Sequence, residues 1–172
     1  MKTQVWAHRG ASAYAPENTL EAFRLAAEMG ADGVELDVQL SRDGELVVAH
    51  DETIDRVSSG TGYIKDYTLA QLKKLSFNRL FPNFKDARIP TLKEVYELLK
   101  PAGLTVNVEL KTGIILYPEI EEKVLALTAS MGMEDRVIYS SFCHPSLVRL
   151  KELDSGLKTG LLYSDGWIGA AD

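Results

Sequence analysis

Three acids, two histidines and two cations stand at positions where they could do chemistry together. Glu35 and Asp37 lie two apart in GVELDVQL (33–40), and Glu109 recurs in the similar stretch TVNVELK (105–111). In the first stretch Val34, Leu36, Val38 and Leu40 alternate with Gly33, Glu35, Asp37 and Gln39, the period of two expected of a strand. Glu35 and Asp37 would then share one face, about 7 Å apart. An edge strand facing water would account for this pair alone. A second strand with the same habit favours another reading, because central parallel strands normally read as continuous apolar runs.

Three carboxylates in one cavity repel one another unless a cation or protons neutralise them. Oxygen-only donors favour a hard ion, Mg²⁺ or Ca²⁺. His8-Arg9 follows QVWA and His50-Asp51 follows LVVA, so both histidines fall at strand ends. Such a pair can act as base and acid in one turnover, with zinc ligation as the chemical rival. Arg9 and Lys111 are the cations that a phosphate site needs, or they balance the acids. His144, just before Pro145, reads as structural.

The elements that must position these groups are strands alternating with helices. Strands are expected at 4–8, 33–40, 45–50, 104–110, 136–141 and 157–164, and helices at 18–30, 68–75, 91–100, 118–132 and 145–153. Asn18 with Glu21 and Thr91 with Glu94 have capping-box spacing, and Gly30, Pro101 and Gly103 are stop signals. Residues 51–90 form the irregular part, with SSGTG (58–62) as a loop. No internal repeat or linker divides the chain. Strand–helix alternation implies a parallel sheet, either an open doubly wound sheet or six strands of a (β/α)₈ barrel. Ligand sites in both gather at the carboxyl ends of the strands, where the seven residues fall. No GxGxxG or GxxxxGK[ST] follows a strand, which speaks against a nucleotide fold.

Composition narrows the function further. The chain has 172 residues, 45% hydrophobic, enough for one domain with an ample core. A net charge of −6 argues against a nucleic-acid partner. The single Cys143 excludes an internal disulfide and a multi-cysteine zinc site. The opening MKTQVWAHRG lacks the apolar core of a signal peptide, and no apolar run approaches the roughly 18–20 residues needed to cross a bilayer. A cytoplasmic protein without stable membrane insertion is the expectation.

AHRGASAYAPENTLEAF (7–23), followed by GADGVELDVQLSRDGELVVAHD (30–51), resembles the glycerophosphodiester phosphodiesterase family, particularly its bacterial cytosolic members. The similarity continues through IPTLKEV, VNVELK and VIYSSFCHPSL and covers essentially the whole chain. It implies a TIM barrel with a family insertion at about 51–90. It also implies Glu35, Asp37 and Glu109 as ligands of a divalent cation, His8 and His50 as the general acid/base pair, and Arg9 and Lys111 at the substrate phosphate. The implied reaction is hydrolysis of a glycerophosphodiester to sn-glycerol 3-phosphate and an alcohol. The alternatives are a related phosphodiesterase acting on lysophospholipids and an inactive, truncated binding module. Members usually continue for two more βα units, whereas this sequence ends at DGWIGAAD after the sixth expected strand. The expectation is therefore a single barrel domain over 1–172, truncated after about six strands, with open edges available for self-association.

Overall fold

A computed structural model describes residues 3–164. Six strands form one sheet: β1 (Trp6–His8), β2 (Gly33–Leu40), β3 (Leu46–Val48), β4 (Thr105–Leu110), β5 (Val137–Ser141) and β6 (Thr159–Leu161). The helices are α1 (Leu20–Glu28), α2 (Leu69–Leu72), α3 (Leu92–Ala102), α4 (Ile120–Ser130) and α5 (His144–Leu153).

The main path of the sheet runs β1-β2-β4-β5-β6 with every neighbouring pair parallel. A doubly wound sheet reverses its strand order at a switch point. Here the order follows the chain without reversal, with a helix between successive parallel strands, as in a (β/α)₈-type barrel.

The third strand departs from the expected alternation. β3 pairs antiparallel with the end of β2, Leu40 facing Leu46. The reason is the length of the link: parallel neighbours need a crossover of a dozen or more residues, whereas 41–45 suffices only for a hairpin. Among the described residues there are six strands, five of which belong to the parallel path.

Alternation along β2 divides its side chains between two environments. Val34, Leu36 and Val38 are fully buried in the main core with Phe23 of α1, Leu92, Val95 and Leu99 of α3, and Val106 and Val108 of β4. Each such side chain contributes about 1.5–3 kcal/mol of burial free energy, so the apolar face determines which way the acids point. Residues 51–90 are less irregular than expected. Ile54, Ile64, Leu72, Phe77 and Ile89 form a second small core with Val47 of β3.

The caps differ in one respect that matters below. Thr91 and Glu94 make the reciprocal capping box of α3, and Gly103 closes that helix with φ 74°. Pro101 lies inside the last turn of α3 rather than ending it. The N-cap of α1 is Thr19, whose hydroxyl accepts from the Ala22 amide, and not Asn18. Asn18 instead has φ 56°, which releases its side chain for another partner.

Candidate functional site

The acids meet because of strand register. Asp37 of β2 is the direct partner of Glu109 of β4, and Glu35 is flanked by His8 of β1 and Asn107 of β4. Ligand oxygens of Glu35, Asp37 and Glu109 all lie within 4.8 Å of one another. Asp37 is completely buried, Glu109 nearly so, and Glu35 partly. Burial, followed by the charge of Asp37, pushes the Glu35 carboxyl up to about 8. The same two causes raise Glu109.

Cations offset part of this repulsion. Lys111 Nζ donates to Glu109 Oε1 at 3.0 Å and lies 3.8 Å from Asp37 Oδ1. Arg9 has its Nε 3.5 Å from Asp37 Oδ2, and its amide donates to Glu35 Oε2 at 3.1 Å. Asn18 Nδ2 donates to Asp37 Oδ2 at 2.8 Å. Even so, Asp37 Oδ1 and Asn18 Oδ1 are buried acceptors without a hydrogen-bond donor; Arg9 Nε is likewise unbonded and faces the other oxygen of Asp37. Unpaired buried acceptors beside three carboxylates fit a hard cation held by oxygen. Among the described residues, that grouping contains no imidazole, which does not match the zinc alternative.

His8 ends β1 with its Nε2 3.8 Å from Glu35 Oε2 and a side chain 67% exposed. Partial burial, then the neighbouring charge of Arg9, holds its imidazole below the ordinary value. His50 follows β3, and its Nδ1 lies 2.6 Å from Asp51 Oδ1. His50 is near enough to influence both His8 and Glu109, so the two imidazoles and the acids lie within one electrostatic neighbourhood. His144 stands apart, its Nε2 bonded to the Leu162 carbonyl and its ring edge-on to Tyr163.

A model of the Glycerophosphoryl diester phosphodiesterase family matches residues 8–170. The chain belongs to that family. It is 53% identical to a glycerophosphodiester phosphodiesterase of Caldanaerobacter subterraneus subsp. tengcongensis over 98% of this chain and 70% of the relative. The crystal structure of a glycerophosphodiester phosphodiesterase from Agrobacterium tumefaciens superimposes with a TM-score of 0.84 at 36% identity, covering 92% of this chain and 66% of that one. An Oleispira antarctica phosphodiesterase, solved in complex with the product sn-glycerol-3-phosphate, gives a TM-score of 0.80 at 35% identity, over 92% of this chain and 65% of that one. The chain thus spans about two thirds of the length of these glycerophosphodiester phosphodiesterase structures.

In this phosphodiesterase-family site, several residues escaped the pattern reading. Gln39 is completely buried; its Nε2 donates to the carbonyls of Ala49, His50 and Asp51 at 2.9, 3.2 and 2.7 Å, and its Oε1 accepts from Tyr117 Oη. It pins the turn that carries His50. The signal was present, since Gln39 continues the row of Glu35 and Asp37. Arg56 and Glu17 also join the site. Arg56 bonds both Asp51 and Glu17, and Glu17 Oε1 accepts from Arg9 Nη1 at 3.1 Å. Pattern alone carried no signal for that pairing. Gly10 closes the β1–α1 turn at φ 77°, where a Cβ would lie 2.7 Å from the Ala22 carbonyl carbon. Only glycine lets the backbone just after Arg9 approach α1 so closely.

Proposed function

We propose that the protein hydrolyses glycerophosphodiesters to sn-glycerol 3-phosphate and an alcohol, with a divalent cation held by Glu35, Asp37 and Glu109. The observation that carries this reading is the convergence within 4.8 Å of two carboxylates from the middle of β2 and one from near the end of β4. The names of the Caldanaerobacter and Agrobacterium relatives, and the product bound to the Oleispira protein, support the substrate class.

When bound, Mg²⁺ or Ca²⁺ supplies charge neutralisation for the phosphoryl oxygens and acidifies an oxygen nucleophile. The residues of the chain do the rest. Arg9 and Lys111, now paired with Glu17 and Glu109, supply the positive charge that orients the phosphate. One of His8 and His50 removes the proton from the attacking oxygen, either water or the glycerol 2-hydroxyl, the latter forming a cyclic phosphate that a water molecule then opens to sn-glycerol 3-phosphate. The other protonates the departing alcohol. We further propose that residues 1–172 act as one barrel domain, with 51–90 as its insertion.

A second reading, a related phosphodiesterase acting on lysophospholipids, draws support from Ile114 and Leu116. They are 76% and 79% exposed on the connection just after Lys111, where they could meet an acyl chain. Among the described residues no helix is long and apolar enough to cross a membrane. A cytoplasmic location is part of this proposal. Self-association would use the edge at β1, where Val5 and Tyr14 are exposed.

The test is cleavage of glycerophosphocholine and of a lysophosphatidylcholine with Mg²⁺, Ca²⁺ or chelator. Cation-dependent release of sn-glycerol 3-phosphate is expected. Cation-dependent thermal stabilisation without turnover of either substrate would instead indicate a binding module.

A further inference from the structure

Arg56 lies outside the seven residues so far given roles, yet it touches both halves of the site. Its Nε and Nη2 donate to Asp51 Oδ2 and Oδ1 at 2.7 and 3.2 Å. Its Nη1 and Nη2 donate to Glu17 Oε2 and Oε1 at 2.8 and 2.7 Å. One planar guanidinium therefore forks onto two carboxylates that are 34 residues apart in the chain (51 − 17). Asp51 in turn holds His50 Nδ1 at 2.6 Å, and Glu17 holds Arg9 Nη1 at 3.1 Å.

The result is a continuous row of contacts, His50–Asp51–Arg56–Glu17–Arg9–Asp37, with anions and cations alternating from Asp51 onward, that runs from one candidate catalytic base to the acid cluster. We infer that Arg56 is a positioning residue for the reaction, fixing the ring of His50 through Asp51 and the guanidinium of Arg9 through Glu17. The inference rests on the hydrolytic reading proposed above.

Stability is a weak explanation for this arrangement. The Arg56 side chain is 41% exposed, and ion pairs that open to solvent contribute little to folding. Geometry is what the double fork does well. A carboxylate accepting from Nδ1–H leaves the lone pair of a neutral imidazole on Nε2, the atom free to meet substrate. A carboxylate held from its far side by Arg56 keeps its oxygen turned to His50. The charges agree with this: partial burial opposes it, but hydrogen bonds from Arg56 and His50 hold the Asp51 carboxyl down at about 2. The bond from Arg56 is likewise the largest influence lowering Glu17. Lysine cannot replace the fork, because an ammonium group offers no planar pair of donors.

The test combines kinetics with the ¹⁵N spectrum of the His50 ring in wild type, Arg56→Lys, Arg56→Met and Asp51→Asn. The expected kinetic result is a loss of kcat of roughly tenfold to a hundredfold in both Arg56 variants with a smaller change in KM, the scale on which a displaced catalytic group acts. In the His50→Ala background the Arg56 effect should shrink, since part of it passes through that ring. The expected spectrum is an Nδ1–H tautomer in wild type that loses population in Arg56→Met and Asp51→Asn. Should Arg56→Met not fold, Asp51→Asn and Arg56→Lys carry the same comparison. An unchanged tautomer, or an unchanged kcat in a wild type that turns over, would overturn the inference. A wild type that cleaves no phosphodiester refutes the hydrolytic reading and with it any role for Arg56 in that reaction, whatever the spectrum shows.

Discussion

Asp37 and Glu109 are register partners on adjacent parallel strands, the first with no exposed surface and the second 8% exposed. Two acids in that relation, with Glu35 beside them, cannot all ionise in a closed site without compensation. Lys111 bonds Glu109 and lies near Asp37, while Arg9 reaches the other side of Asp37. The buried Asp37 Oδ1 is still left without a hydrogen-bond donor. That deficit determines how the protein should respond to pH and to metal.

Chelated protein should lose stability as pH rises from about 4.5 to about 8. Glu35 titrates near 8 when folded, against 4.5 ordinarily, so across this window the folded state holds a proton that the unfolded state has released. Stability falls with pH wherever the folded state binds more protons. Glu109 is raised too and adds the same sign. His8, held below 6.5, opposes it near and below that pH and leaves the fall steepest above 6.5. Asp51 and Glu17 are lowered and matter only in acid. The groups facing Glu35 are Asp37, Glu109, His8 and Arg9. Saturating Mg²⁺ or Ca²⁺ should remove the slope. Melting curves at pH 5, 6.5 and 8 with and without cation measure both limbs, and a flat profile for the chelated protein would contradict the stated shift.

Glu35→Gln separates repulsion from ligation. The chelated variant should melt at or above the wild-type temperature, because glutamine is neutral without the proton that Glu35 must take up on folding below about pH 8. It should gain less from added cation. A ligand that binds only the folded state adds about 2.7 kcal/mol at a hundredfold excess over its Kd, and that increment should shrink in the variant. Equal cation-induced shifts in the two proteins would exclude Glu35 as a ligand.

His8→Ala and His50→Ala should each reduce kcat by about 10²–10⁴-fold, the usual contribution of a positioned acid or base. Thermal stability should change little for His8, whose side chain is mostly exposed. Full turnover in either variant would remove that histidine from the mechanism.

Asn18→Gly tests the link between the α1 turn and the acids. Glycine keeps the left-handed backbone at φ 56° and deletes the 2.8 Å bond to Asp37. Loss of a partner around a ligating carboxylate typically weakens metal binding by about 10–100-fold. Calorimetric titration with Mg²⁺ or Ca²⁺ reads this directly, and undiminished affinity would show that Asp37 needs no such support.

Gln39→Leu should be more damaging than its conservative volume suggests. Three carbonyls of 49–51 and the Tyr117 hydroxyl lose their buried partner. Each unsatisfied buried group costs about 1–3 kcal/mol, so a clear drop in melting temperature should accompany reduced kcat as the His50 turn loosens. A variant with wild-type stability and turnover would show that the turn holds itself.

Some of this protein was determined by residues read in order. The alternation of 33–40 divides an apolar face from an acidic one because successive strand side chains point to opposite faces. Thr91, Glu94 and Gly103 bound α3 through bonds made within a few residues. The HRG, PENT and ELK stretches carried the family resemblance by themselves. Even the hairpin of β3 had its signal, since 41–45 is too short for a parallel crossover.

Other relationships exist only once the chain is packed. That Asp37 faces Glu109, rather than a residue two places away, depends on how β2 and β4 seat their apolar sides against α1 and α3. That Asn18 serves Asp37, leaving the cap to Thr19, depends on a left-handed turn against the sheet. That Arg56 joins Asp51 to Glu17 depends on the small core that folds residues 51–90 back over the strand ends. Caps, turns and strand faces are decided by neighbours in sequence, which a pattern records. Register and ion-pair partners are decided by contacts between distant segments, and the same local pattern is compatible with many of them.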